Sequence, residues 1–174
     1  PPVLDLYRTF NELIDMRSFS SLWYWIGLIV MWSVASHFIL GVPYDLVTRA
    51  RRQGGEAEED LRDVVRVQVN RLLLIDGSAG PWLLGGACFA LTTLALLGFV
   101  YGVELAQAVF LLALPMSVVF TLSVRTARAI RAADGEGLHP MLMQLRRMVQ
   151  ALGVLSIFVT ALWGMYRNMA VGPI

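Results

Sequence analysis

One cysteine, no lysine and a charged content of only 16% set the first limits on this 174-residue sequence. A lone thiol excludes an intrachain disulfide framework and any zinc or iron–sulfur site built from the cysteines of one chain. The sequence has no nucleophile elbow, no phosphate-cradling glycine loop and no metal-spaced set of His, Asp and Glu. No two carboxylates pair within an apolar run, so no catalytic residue, no metal and no cofactor is expected. A net charge of +1 gives no grip on a nucleic-acid backbone. Apolar residues are the abundant class, at 57% of the chain, whereas a soluble domain has about 45–50%. The excess calls for lipid as its solvent.

Four stretches approach the roughly 20 residues that a helix needs to cross a bilayer. They are residues 21–40, 82–101, 105–124 and 149–166. The second and third belong to one apolar run from Pro81 to Val124. As a single helix it would be roughly 65 Å long, twice the hydrocarbon core of about 30 Å. The run must fold back, and Tyr101-Gly102-Val103-Glu104 holds the glycine and the charge to do so. Pro115 predicts a kink in the third span. No stretch alternates with the period of a membrane β-strand, so the expected class is all-α and polytopic, with four transmembrane helices in one domain.

Arginine placement predicts orientation. Segment 41–79 carries Arg49, Arg51, Arg52, Arg62, Arg66 and Arg71, and segment 125–147 carries Arg125, Arg128, Arg131, Arg146 and Arg147. Only Arg8, Arg17 and Arg167 lie on the other side. Both arginine-rich segments are therefore expected in the cytoplasm, and both termini in the periplasm, of a bacterial inner membrane. Trp23, Tyr24, Trp25, Tyr101, Trp163 and Tyr166 would form the outer aromatic belt.

Two amphipathic regions flank the spans. Val3, Leu6, Tyr7, Phe10, Leu13 and Ile14 recur at helical spacing, predicting a periplasmic helix that lies in the interface plane. In the cytoplasm, Gly54-Gly55 separates two helical stretches. The second opens on Glu56, Glu58, Glu59 and Asp60, where the helix dipole favours anions. Its stripe of Leu61, Val64, Val65, Val69, Leu72 and Leu73 predicts a helical hairpin against the membrane, ended by Asp76-Gly77-Ser78.

The candidate functional residues are few. His37 is the one histidine within a span, a default functional candidate there. It fits a packed interfacial histidine, a hydrogen bond to lipid or quinone, or a cofactor ligand; a haem would want a second axial ligand, and His139 lies in the cytoplasmic segment. Arg125, Arg128 and Arg131 recur every three residues at the cytoplasmic end of the third span and could hold anionic lipid headgroups. Gly153, Ser156, Thr160 and Gly164 make a smooth face on the fourth span where another backbone can approach closely, in this chain or in a partner subunit.

At Asp15-Met16-Arg17-Ser18-Phe19-Ser20, Leu22-Trp23-Tyr24-Trp25 and Gly41-Val42-Pro43-Tyr44-Asp45, the chain resembles a small family of alphaproteobacterial inner-membrane proteins. The likeness continues through Arg49-Ala50-Arg51-Arg52, Val69-Asn70-Arg71, Gly102-Val103-Glu104 and Ser156 to Met165, and so covers most of the chain. That family is automatically labelled as a component of the SufBCD complex, which implies a link to iron–sulfur cluster assembly, and it brings no catalytic residues to carry over. Taken with the small-residue faces and the two amphipathic regions, the expected role is a non-catalytic accessory or scaffolding subunit. Its partners would be the other inner-membrane subunits of a photosynthetic or respiratory complex. A homo-oligomeric channel or transporter, with Ser33, Ser36 and His37 toward a pore, and a membrane anchor for iron–sulfur assembly are the alternatives.

Overall fold

The computed structural model describes Phe19 and residues 21–171; the amphipathic helix expected over Val3–Ile14 lies outside them. Among the described residues five helices and one small hairpin follow in order: α1 (Leu22–His37), β1 (Phe38–Ile39), β2 (Val42–Pro43), α2 (Tyr44–Gln53), α3 (Glu56–Ala95), α4 (Glu104–Ala132) and α5 (Leu138–Val171). Three helical segments are long and apolar enough to cross a membrane: Glu56–Val100, Glu104–Ala132 and Leu138–Ala170. The first apolar stretch forms the shorter α1, which ends at His37.

What stops α1 is a tight hairpin that the residue pattern did not reveal. Leu40 and Gly41 both have positive φ, 57° and 77°, as a two-residue turn between antiparallel strands requires. Phe38 then pairs with Pro43, and Ile39 with Val42. Ile39, Leu40 and Val42 are buried, and a side chain added at Gly41 would meet the Gln68 amide at 3.3 Å. The hairpin is thus pressed onto α3.

Gly54 and Gly55, at φ 60° and 54°, separate α2 from α3, as the pattern predicts. The predicted stop at Asp76-Gly77-Ser78 does not occur. α3 runs through it, and through Pro81, to Ala95. Ser78 Oγ donates to the Leu74 carbonyl at 2.7 Å, a bond inside the helix rather than a competitor to it. Gly77 costs only about 1 kcal/mol in a helix interior, less than leaving backbone groups unpaired at the edge of hydrocarbon. A π turn over Leu96–Val100 closes the helix, with Tyr101 N–H on the Leu96 carbonyl at 3.1 Å. The chain then reverses at Gly102, φ 73°, and α4 starts at Glu104.

The expected cytoplasmic loop 125–147 is mostly helix. α4 continues to Ala132, α5 begins at Leu138, and the link between them is closed by Gly135 N–H on the Ile130 carbonyl at 3.1 Å. The arginine-bearing ends of three helices therefore project together. With α2 and the hairpin they hold most of the core: Val47 and Ala50, Leu61 and Val65, Ala127 and Ile130, Leu142 and Leu145. By contrast, the apolar windows of the three long helices are only 6%, 22% and 28% buried. Water drives apolar faces together; lipid does not.

α1 packs along α5. Its buried Leu28 and Trp32 join the core, and a Cβ at Gly153 would stand 2.8 Å from Trp32 Cε3. Gly153→Ala should therefore lower the melting temperature in detergent, overpacking costing about 1–3 kcal/mol. Gly86→Ala, with nothing within 4 Å of the new methyl, should leave it unchanged or raised.

Candidate functional site

The chemistry-bearing side chains fall into a knot at the turn between α3 and α4, a groove between those two helices and a clasp at the opposite end. At the turn Gln107 is almost fully buried and uses both ends of its amide. Its Nε2 donates to the Gly98 carbonyl at 2.7 Å, and its Oε1 accepts from Trp163 Nε1 at 3.0 Å. One side chain thus ties α4 to the π turn and to α5. Gly98 permits this, since a Cβ there would lie 2.9 Å from Gln107. Glu104 joins the knot, accepting from Phe19 N–H at 2.9 Å, while Trp25 Nε1 donates to the Phe19 carbonyl at 3.0 Å. Tyr24 donates to the Ala108 carbonyl at 3.2 Å.

Between this knot and the core, α3 and α4 flank a groove of about 1130 Å³. Its walls include Leu84, Leu91, Met116 and Phe120, and the mouth farther from the turn holds Asp76, Arg125 and Arg128. Asp76 accepts from Arg128, a contact between helices 52 residues apart in sequence. The arginine triplet is therefore divided. Arg125 and Arg128 stand at the groove, whereas Arg131 lines a separate polar cleft of about 590 Å³ with Glu59, Asp63, Arg66 and Asp134.

The small-residue face of α5 is covered by this chain's own α1. Ser156 and Thr160 are buried, Gly153 sits against Trp32, and Gly164 faces Phe19 and Trp25 at 3.4–3.5 Å. His37 is exposed as the last residue of α1, with Nε2 3.4 Å from Asp45 Oδ1 of α2. Ser33 is exposed on the outside of α1. The hydroxyls of Ser117, Thr121 and Ser123 donate back into α4 itself, to the carbonyls of Ala113, Ser117 and Val119.

The clasp joins the starts of α3 and α5. His139 Nε2 lies 2.7 Å from Glu58 Oε2, and Arg62 Nε donates to the other oxygen of Glu58 at 3.3 Å. Nearby, the Arg146 guanidinium lies 3.4 Å above the centre of the Tyr44 ring. The hydrogen bond from His139 holds the Glu58 carboxyl below its ordinary value of 4.5, with Arg62 adding to it.

Sequence reasoning missed Gln107 and Asp76. Gln107 carries a signal, as an amide standing alone in an apolar run. Asp76 was hidden by Gly77 and Ser78 beside it, which read as a helix stop. Comparison with protein-family models, with curated proteins and with solved structures finds no match to this chain.

The Glu58 carboxylate has a testable consequence. Its folded value is depressed, so its contribution is present above about pH 4.5 and is lost as pH falls through that lower value. Glu58→Gln should melt below the wild type at neutral pH. The gap between the two melting temperatures should close as the pH is taken below 4.5.

Proposed function

We propose that this chain is a non-catalytic accessory or scaffolding subunit of a larger assembly in a bacterial inner membrane. It crosses the bilayer four times with its arginine-bearing ends in the cytoplasm. The observation that carries the reading is the bareness of α3. Its apolar window is 6% buried, against 22% and 28% for the other two long helices, and Trp82, Leu84 and Phe89 are 84%, 67% and 74% exposed. The cytoplasmic half of the same helix lies in the core. A helix anchored in that way at one end and bare at the other presents a rigid apolar face to a neighbour, and in lipid such neighbours associate by close packing.

Two further features support four crossings and this orientation. α1 spans about 24 Å as a 16-residue helix, and the two extended residues after it add about 6–7 Å. Together they reach the hydrocarbon thickness of about 30 Å. Ile39, Leu40 and Val42 of the hairpin are buried in protein, the condition under which non-helical backbone is tolerated at membrane depth, while Phe38 and Gly41 are exposed. Eleven arginines lie on one side and three on the other, which supports a cytoplasmic core. The partner complex is a respiratory or photosynthetic one in this reading, and the family resemblance adds iron–sulfur assembly machinery as a candidate.

Orientation is checked by thiol labelling in a Cys88→Ser background. A cysteine replacing Gln53 should react with a membrane-impermeant reagent from the cytoplasmic side only, and one replacing Tyr101 from the outer side only. The reverse pattern overturns the arrangement. For the accessory role, gentle detergent extraction and native mass spectrometry should recover a stoichiometric foreign subunit. Trp82→Ala with Phe89→Ala should reduce that recovery tenfold or more at an unchanged melting temperature, since interface aromatics carry about 2 kcal/mol or more. A chain that purifies alone, or as a ring of its own copies, overturns the proposal.

A further inference from the structure

We propose that the groove between α3 and α4 binds one anionic phospholipid of the inner leaflet, its phosphate on Arg125 and an acyl chain laid between the two helices. The inference rests on the membrane reading above and deepens it. The helix pair is closed at both ends of the groove. On the outer side Gly98 and Gln107 are in backbone contact, and on the inner side Asp76 bonds Arg128 while Val65 and Val69 share a core with Ala127 and Ile130. What stands open is a slot of limited depth. Its lining runs from Ile75 to Leu91 on α3, about 24 Å, and from Met116 to Arg128 on α4, about 18 Å. Half of a hydrocarbon core is about 15 Å. The slot therefore exceeds the hydrocarbon of one leaflet, as a lining that includes the headgroup-level mouth must, and falls short of the roughly 30 Å that a membrane-crossing helix spans.

The charges at the mouth select the headgroup. Asp76 neutralises Arg128, and no carboxylate among the described residues pairs with Arg125, so one positive charge remains to meet one phosphate. Beside it, Pro81 has no N–H to give the Gly77 carbonyl, and Gly77 and Gly80 line the mouth without side chains. The Gly77 carbonyl thus lacks its ordinary donor four residues on, in the same groove lining as Arg125. Below the mouth the walls turn apolar, as an acyl chain requires.

The test uses the purified full chain, exchanged into a mixture of phosphatidylglycerol and zwitterionic phosphatidylethanolamine and read by native mass spectrometry. One retained phosphatidylglycerol is expected. Arg125→Gln should reduce the preference for the anionic lipid about fivefold, the effect of one arginine near a membrane surface, while Arg147→Gln leaves it unchanged. Ala87→Phe, or Thr121→Phe on the facing wall, should fill the groove and abolish retention. Inorganic phosphate should not compete. Several outcomes overturn the proposal: equal retention of both lipids, an Arg125→Gln preference no different from that of Arg147→Gln, lipid retained in both phenylalanine variants, displacement by phosphate alone, or a second polypeptide lost with either phenylalanine variant. In each case a stoichiometric foreign subunit still recovered with the wild-type chain by gentle extraction leaves the accessory reading standing, so the two fail separately.

Discussion

Each long helix of this protein must serve two solvents, and the change from water to hydrocarbon partway along it governs the rest of the structure. In water, Leu61, Val65 and Val69 of α3 gain by leaving solvent, and they meet Ala127, Ile130, Leu142 and Leu145 in a packed core. A few turns further along, Leu84 and Phe89 gain nothing of the kind from their neighbours in the same chain, because lipid is as apolar as they are. Polar groups and glycines give the helices specific contacts there, and Gln107 supplies one at the turn between α3 and α4. Its amide satisfies a carbonyl freed by the π turn and an indole N–H together, two groups that are costly to leave unpaired in an apolar setting.

Close approach matters as much as polarity in the membrane half. Gly153 lets α1 lay the Trp32 ring on α5, and Gly98 lets α4 come up against the π turn. Other glycines of similar sequence context, Gly85 and Gly86, have nothing within 4 Å. A small-residue spacing marks where a helix could be approached. It does not say by what, and on α5 the occupant is a helix of the same chain.

The helical class and the turn at Gly102 were legible from the sequence because both follow from length. An apolar run of double thickness has to reverse, and one place in it could do so. The break at Gly54-Gly55 was legible for a similar local reason. Two misreadings have a common cause: the residues concerned are locally ambiguous and are decided by partners distant in sequence. Asp76-Gly77-Ser78 reads as a stop, yet Asp76 is held by Arg128 and Ser78 bonds its own helix. The first span reads as helix through residue 40, yet the helix ends at His37 and Leu40-Gly41 is the turn of a hairpin seated on Gln68. Of the candidate residues, the arginine triplet was legible as a charged band, but helical phase alone could not show that Arg131 would serve a different cleft from Arg125 and Arg128. His37 had one candidate feature, its depth, and the structure places it beside Asp45 on the surface.

The unbroken course of α3 has a mechanical meaning. From Glu56 to Val100 it is a single rod of about 67 Å, with its foot in the packed core and its head in the turn before α4. Rods transmit tilt. A rotation of about 10° about the foot would carry the head through roughly 12 Å at that length, and the Gln107 knot would drag the ends of α4 and α5 along with it. Had the helix stopped at Asp76, the two sides of the membrane would be joined by a slack tether. As built, a tilt imposed at Glu58 and His139 is carried to the far end of the same helix, and the fold is by geometry a lever.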